Sequence, residues 1–363
     1  MERIHLLLKA SEKRSEIFVG VDLLEFLARD LNERPLGNRL GMITDTQVES
    51  ILGDQLQNHL IRSGLRIDTF AIRPGEGSKR WKIVQSIIEW MADSGFDRKS
   101  ALLALGGGVV GDITGFVASL YMRSIPYAQI PTTLLAQVDS SLGGKTAIDL
   151  PGRKNLLGTF YQPLRVYVDP SLLNTLPHGE IQNGLSEVIK SAIIRDRTFF
   201  QFLEVHRDAV LSGDRDMMEK VITLCCRIKT AVVMEDEKDT GLRQILNFGH
   251  TVGHAIEAYT GYSVPHGRAV SMGISAETVL SARLKVLAAE EQKRILRLLE
   301  GYGLPTRIPM SFDREKLVDL MHLDKKAENG SITVVLPTAI GTVSVRKGIP
   351  DLLIESVLEE VAQ

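Results

Sequence analysis

Short apolar runs alternate with helical patterns through the first half of the chain. LGMITD (Leu40 to Asp45) reads as a buried strand, and Thr46 to Ser63 as the helix after it. RIDTFAI (Arg66 to Ile72) is the next strand, followed by the loop RPGEGSK. From Lys79 to Asp93 the apolar residues Trp81, Ile83, Val84, Ile87, Ile88 and Met91 recur at helical spacing. SALLAL (Ser100 to Leu105) and IPYAQIP (Ile125 to Pro131) are two further strands. Strand, helix, strand in this rhythm predicts a parallel sheet covered by helices on both faces. Beyond Pro177 long helical patterns take over: Gly179 to Ile194, Phe199 to Val210, Asp214 to Val233, Ile245 to Tyr259, Ala269 to Leu284 and Ala288 to Tyr302. GYSVP (Gly261 to Pro265) separates two of them, and two short strands, SITVVLP and GTVSVRK, come late. The expected fold is an α/β N-terminal, Rossmann-like parallel-sheet domain (residues 1–173) followed by a mostly α-helical C-terminal domain (residues 174–363).

Composition removes several classes. The 363 residues carry 43 Lys+Arg against 45 Asp+Glu, a formal net charge of -2, which argues against nucleic-acid binding by bulk charge. No uncharged apolar run approaches the roughly 18 residues that span a bilayer, so no membrane association is expected. The two cysteines, Cys225 and Cys226, are adjacent in an apolar helical run, which predicts buried thiols without a disulfide and a cytoplasmic protein.

Two motifs carry chemistry. Gly106-Gly107-Gly108-Val109-Val110-Gly111 fits G-x-G-x-x-G between a predicted strand and a predicted helix, where glycines let a backbone approach a pyrophosphate at a helix N-terminus. The loop follows the third apolar strand, not the first, and no acidic residue ends a strand about 20 residues later. Asp45 is then the candidate for the ribose, with Glu76 and Lys79 at another strand's carboxyl end: a dinucleotide site of unusual topology. The second motif is NFGHTVGHAIEA, which sets His250 and His254 four residues apart on one helix face, with His266 just after a helix break. Three histidines so clustered point to a divalent metal with an open coordination position. Glu187, on an apolar helix with Lys190 three residues on, is a candidate carboxylate ligand, the alternative being a Glu187–Lys190 ion pair on a solvent face. A histidine left out of the ligand set would be free to move protons.

PTTLLAQVDSSLGGKTAIDLPGRKN is too polar and glycine-rich for a plain core element. Its Asp139, Ser140, Lys145, Lys154 and Asn155, with Arg123, Lys229, Arg243 and Asn247, would make a pocket for a phosphorylated or carboxylated metabolite. Taken singly, each of these charges reads as a solvated surface group.

GGGVVGDITGF, SLYMRSIPYAQIPTTLLAQVDSSLGGKTAID, RKNLLGTFYQP, EVIK, GLRQILNFGHTVGHAIEA and HGRAVSMG, in this order, closely resemble the 3-dehydroquinate synthases of the shikimate pathway, which are sugar-phosphate cyclases. The resemblance runs from ITD at Ile43 to DKK at Asp324. It implies conversion of 3-deoxy-D-arabino-heptulosonate 7-phosphate to 3-dehydroquinate and phosphate. The steps would be transient NAD-dependent oxidation at C5, phosphate elimination, re-reduction, ring opening and an intramolecular aldol closure. By the same resemblance Glu187, His250 and His266 hold Zn2+, or Co2+ in its place, and His254 handles protons. Asp139, Lys145, Asn155, Lys190, Lys229, Arg243 and Asn247 match substrate positions, as does Lys325 or Lys326. Asp45, Glu76, Lys79, Gly107, Gly108, Val109, Asp112, Thr132, Thr133, Asp139, Ser140, Lys145, Lys154 and Thr175 match NAD contacts. Arg123 matches an arginine that reaches a neighbouring subunit's site, implying a homodimer. Departures are Asp239 where the family usually has Glu, Arg268 where HGE is usual, and Gln47 in place of Asn. The rival readings are 2-deoxy-scyllo-inosose and 2-epi-5-epi-valiolone synthases, an iron-dependent or glycerol dehydrogenase, which would yield net NADH, and a non-catalytic dinucleotide-binding regulator.

Overall fold

In the computed structural model, which describes residues 1–7, 14–151, 153–323 and 332–362, the apolar runs of the first half become a seven-stranded sheet. Its strands are β1 (Glu2–Leu7), β2 (Arg14–Val19), β3 (Leu40–Asp45), β4 (Ile67–Ile72), β5 (Ala101–Gly106), β6 (Tyr127–Pro131) and β9 (Arg165–Val168). Their order is β1-β2-β9-β6-β5-β3-β4, with β1 antiparallel and every other pairing parallel. A parallel strand is buried on both faces, which is why β5 reads ALLALG with no polar position. Met42, Leu103 and Leu105 pack on one face with Leu27 and Leu31 of helix Leu23–Glu33 and Leu56 and Leu60 of helix Asp54–Arg62. Ile43, Leu102 and Ala104 pack on the other with Ile87 and Met91 of helix Trp81–Asp93 and Ile113 and Val117 of helix Gly108–Leu120.

From β3 the chain crosses to β4 on one side, then returns to place β5 on the other. That reversal opens a crevice outside the carboxyl ends of β3 and β5, where ligands bind in open α/β sheets. Asp45 ends β3 and Gly106 ends β5. The apparent mismatch between the glycine loop and ordinary strand counting is thus a matter of sheet order.

Several elements escape the periodicity. β1, β2, β9 and helix Leu23–Glu33 were not expected. The polar segment forms a turn at Ala136–Ser140 and an antiparallel hairpin of β7 (Lys145–Leu150) and β8 (Arg153–Phe160). The helix expected from Thr46 to Ser63 carries a π turn at Glu49–Gly53.

Met1–Leu176 and Pro177–Gln363 are separate compact units. In the second, helices His178–Arg195, Arg215–Glu235, His250–Tyr259 and His266–Arg283 make the core, and the hairpin β10 (Thr333–Ala339) and β11 (Thr342–Lys347) packs against them. The helix expected over Phe199 to Val210 is two, Arg197–Val205 and Arg207–Leu211, meeting at His206. The helix expected from Ile245 begins only at His250. Leu242–Asn247 is a 3-10 turn, and Gly249 at φ 78 redirects the chain. His266 opens its helix, earlier than the Ala269 expected. Helices His250–Tyr259 and His266–Arg283 touch backbone to backbone: a Cβ at Gly273 would overlap the Gly249 carbonyl, and one at Gly253 would lie 3.1 Å from Val270 Cα. Cys225 and Cys226 are both buried. Among the described residues no helix is long and apolar enough to cross a membrane.

Candidate active site

Glu187 lies on the fully buried stretch of helix His178–Arg195 and is 1% exposed. Lys190, one turn on and equally buried, pairs with Glu187 Oε2, so the pair is an interior one and not a solvent-face bridge. His250 and His266 are the first residues of their helices, and the backbone contact of those helices brings them together. One ligand atom from each of Glu187, His250 and His266 lies within 4.8 Å of the others. The Nε2 atoms of His250 and His266 stand 3.6 Å and 3.5 Å from Glu187 Oε1.

The far side of each ring is held. His250 Nδ1 is 3.1 Å from the Phe248 carbonyl oxygen, and His266 Nδ1 is 3.2 Å from Glu257 Oε2. Both partners can only accept, so each Nδ1 carries a proton and each Nε2 is presented to Glu187. Glu187 Oε2 faces the Lys190 ammonium, and Oε1 faces the two imidazole Nε2 atoms. A buried carboxylate is costly unless cations satisfy it. Two imidazoles and one carboxylate, with an open fourth position, are a donor set suited to catalytic zinc. The residues therefore fit a divalent ion.

Burial opposes ionisation of Glu187, but the Lys190 ammonium and His266 overcome it and hold the carboxyl well below its usual range. Burial would likewise lower His266, yet hydrogen bonds and charge from Glu187 and Glu257 push it up to about 10. A metal binds only neutral imidazole, so an ion entering at neutral pH displaces the His266 proton. Zn2+ uptake is therefore expected to release about one proton and to tighten as pH rises toward the folded-state value. Titration in weak buffer with a pH indicator measures it, and uptake without proton release contradicts the ligand role of His266.

His254 stands one turn beyond His250, with ring centroids 5.3 Å from His250 and 6.3 Å from His266. It lies beside the ligand set but outside it. Helices His178–Arg195 and Arg215–Glu235, which carry Lys190 and Lys229, both pack on the Leu242–Asn247 turn that carries Arg243 and Asn247. Arg243 is 2% exposed and donates from Nη1 to the Glu237 carbonyl at 2.5 Å. Asp236, not singled out by sequence, organises that loop by accepting from the backbone N–H of Thr240, Gly241 and Arg243. Asp239 sits at φ 60, a conformation that Asp enters more readily than most residues. Lys325 and Lys326 fall outside the described residues.

The first unit assembles the nucleotide candidates. Lys79, 3% exposed, lies 2.8 Å from Asp112 and 3.7 Å from Glu76, and it also contacts Asn155 Oδ1. Lys154 is 3.8 Å from Glu76. Asn155, expected on the substrate side, thus joins this cluster. Asp149, another residue without a sequence signal, accepts from the Asn155 N–H. Asp45 Oδ1 caps the following turn through Gln47 N and Val48 N. The glycine turn is roofed by polar side chains: a Cβ at Gly107 would lie 3.0 Å from Thr133 Cγ2, and one at Gly108 2.9 Å from Ser140 Oγ. Thr132 N donates to Gly106 O at 3.0 Å. No side chain caps helix Gly108–Leu120, whose first turn includes Val109. Asp139 is partly buried, whereas Lys145 and Thr175 are exposed. Arg123 is exposed within Met122–Arg123–Ser124, three consecutive non-glycine residues at positive φ (50, 70 and 99). Such strain collects at functional surfaces.

The fold is one that sugar-phosphate cyclases share with an iron-containing alcohol dehydrogenase, the latter at TM-score 0.68 and 19% identity over 96% of this chain and 97% of the other. The chain is similar to 2-epi-5-epi-valiolone synthase of Streptomyces hygroscopicus subsp. jinggangensis with NAD+ and Zn2+ bound, at TM-score 0.88 and 26% identity over 96% of each chain. It shares the fold of a 2-deoxy-scyllo-inosose synthase complexed with carbaglucose-6-phosphate, NAD+ and Co2+, at TM-score 0.89 and 23% identity over 99% of this chain and 100% of the other. Residues 69–183 match the 3-dehydroquinate synthase N-terminal family model and residues 184–327 the C-terminal one. The 3-dehydroquinate synthase of Thermodesulfovibrio yellowstonii is 42% identical over 361 residues, 99% of this chain and 100% of that protein. The chain belongs to the 3-dehydroquinate synthase family.

Proposed function

We propose that the chain converts 3-deoxy-D-arabino-heptulosonate 7-phosphate to 3-dehydroquinate and inorganic phosphate. The observation that carries this reading beyond family membership is Glu187, a fully buried carboxylate facing the Lys190 ammonium and the Nε2 atoms of His250 and His266. When bound, NAD+ would take the C5 hydride and give it back, and a divalent ion would polarise the sugar hydroxyls. Glu187, His250 and His266 would hold that ion. Asp45, Glu76, Lys79, Asp112, Thr132, Thr133, Ser140, Lys154, Thr175 and the Gly107-Gly108-Val109 turn would hold the nucleotide. Lys190, Lys229, Arg243 and Asn247 would bind the carboxylate and phosphate of the sugar acid. His254 would move protons to and from substrate oxygens. Once the C5 carbonyl has acidified the adjacent C–H, the substrate's own phosphate would accept that proton, so no separate strong base is needed.

A homodimer with Arg123 entering the neighbour's site belongs to the same proposal. Leu120 and Met122 beside Arg123, and Leu156, Leu157 and Phe160 on β8, are each about 40% exposed or more, an apolar surface suited to a second copy. The two buried cysteines fit a reducing cytoplasm.

Incubation with the heptulosonate, NAD+ and Zn2+ tests the reading. The expected result is stoichiometric phosphate and 3-dehydroquinate with no net NADH. NADH accumulating in step with substrate loss would establish a dehydrogenase instead. His254→Ala is expected to retain one divalent ion yet lose at least about a hundredfold in kcat, the lower range for a positioned acid–base group. Metal content after dialysis, measured beside kcat, checks this, and loss of the ion would move His254 into the ligand set.

A further inference from the structure

Glu257 is a buried carboxylate, 4% exposed, with no place in the reaction described above. It lies on helix His250–Tyr259, two turns past His250 on the same face. Its Oε2 meets Nδ1 of His266, the first residue of the next helix. One helix therefore supplies a metal-ligand candidate at its start and, two turns later, the group that orients the other imidazole. The two helices have little freedom to slide, because Gly253 and Gly273 pack them backbone to backbone. Glu277, on the second helix, accepts the Gly249 N–H at 2.8 Å and braces the turn before His250.

We propose that Glu257 is a positioning residue of the metal centre, fixing the His266 ring so that Nε2 faces Glu187. A ring nitrogen held by a carboxylate has one tautomer and one orientation, and the opposite nitrogen becomes a better donor to a metal. The inference rests on the reading of Glu187, His250 and His266 as metal ligands. Glu257 lies outside the cluster of Glu187, His250 and His266, so its effect should appear in the metal itself before any chemistry.

The test is Zn2+ affinity by competition with a chromophoric chelator, together with the visible absorption spectrum of the Co2+-loaded protein. Glu257→Leu should bind Zn2+ about 10–100-fold more weakly, the usual range for loss of such a partner, and should shift the Co2+ spectrum. Glu257→Gln keeps an acceptor oxygen without the charge and should fall between Leu and wild type in affinity, a rescue that simple space-filling would not produce. A natively folded Leu variant with wild-type affinity and spectrum overturns the proposal. Should the Leu variant fail to fold, the Gln variant decides, and wild-type affinity and spectrum there overturn it too. Wild-type protein that binds neither ion would remove the underlying metal reading instead, so the two failures are distinguishable.

Discussion

His250→Ala is expected to empty the metal centre and to lower turnover by at least about a thousandfold. The ligand set has three members, and two are insufficient to hold a divalent ion against dialysis. A Lewis acid contributes several kcal/mol to transition-state stabilisation, and each 1.36 kcal/mol is a factor of ten, which sets the size of the loss. His250 Nδ1 faces the Phe248 carbonyl of its own chain, and the close approach of the two helices at Gly249, Gly253 and Gly273 is made by backbone rather than by the His250 ring. Metal content by atomic absorption, kcat and near-UV circular dichroism should show an intact, metal-poor, inactive protein. A variant that keeps a full equivalent of zinc and ordinary turnover would end the ligand assignment. Comparison with His254→Ala separates the two histidines of the i, i+4 pair, one losing the ion and the other only the chemistry.

Gly273→Ala should destabilise the second unit by about 3 kcal/mol, at the upper end of the overpacking range. The added methyl would overlap the Gly249 carbonyl oxygen and lie 2.8 Å from its carbon and 2.9 Å from Gly253 N. Those neighbours are backbone, so relief requires the two histidine-bearing helices to move apart. Metal affinity should fall along with stability. Gly179→Ala is the control: nothing lies within 4 Å of a Cβ there, and its φ is ordinary, so a change between zero and a gain of about 1 kcal/mol is expected. Urea unfolding of both variants measures the difference. A Gly273→Ala midpoint equal to wild type would show that the helices are not in the contact described.

Legibility followed the range of the interactions involved. β3, β4, β5 and β6 were read nearly to the residue because buried parallel strands are continuous apolar runs. The β7–β8 hairpin was missed because β8 is mostly exposed and its apolar residues follow no core-facing alternation. Glu257 had a signal, an acid seven residues after His250 in HTVGHAIEA, which puts both on one helix face. Asp149, Asp236 and Glu277 had none, since each accepts from a backbone N–H, of Asn155, Gly241 and Gly249, and a backbone partner leaves no residue pattern to read.

By itself the amino-acid order determined the class of each element, the glycine turn after a strand, the histidine spacing and the apolar setting of Glu187. Each is set within about one helical turn or one strand, where side-chain period and backbone preference act directly. Tertiary structure alone decided that Asp45 and the glycine turn flank one crevice, because strand order depends on which apolar faces pair across the sheet. It also decided that Glu187 meets His250 and His266, and that carboxylate and carbonyl partners stand behind the two rings. These are contacts between segments far apart in the chain, made when three helices close on one another and exclude water from the charges between them.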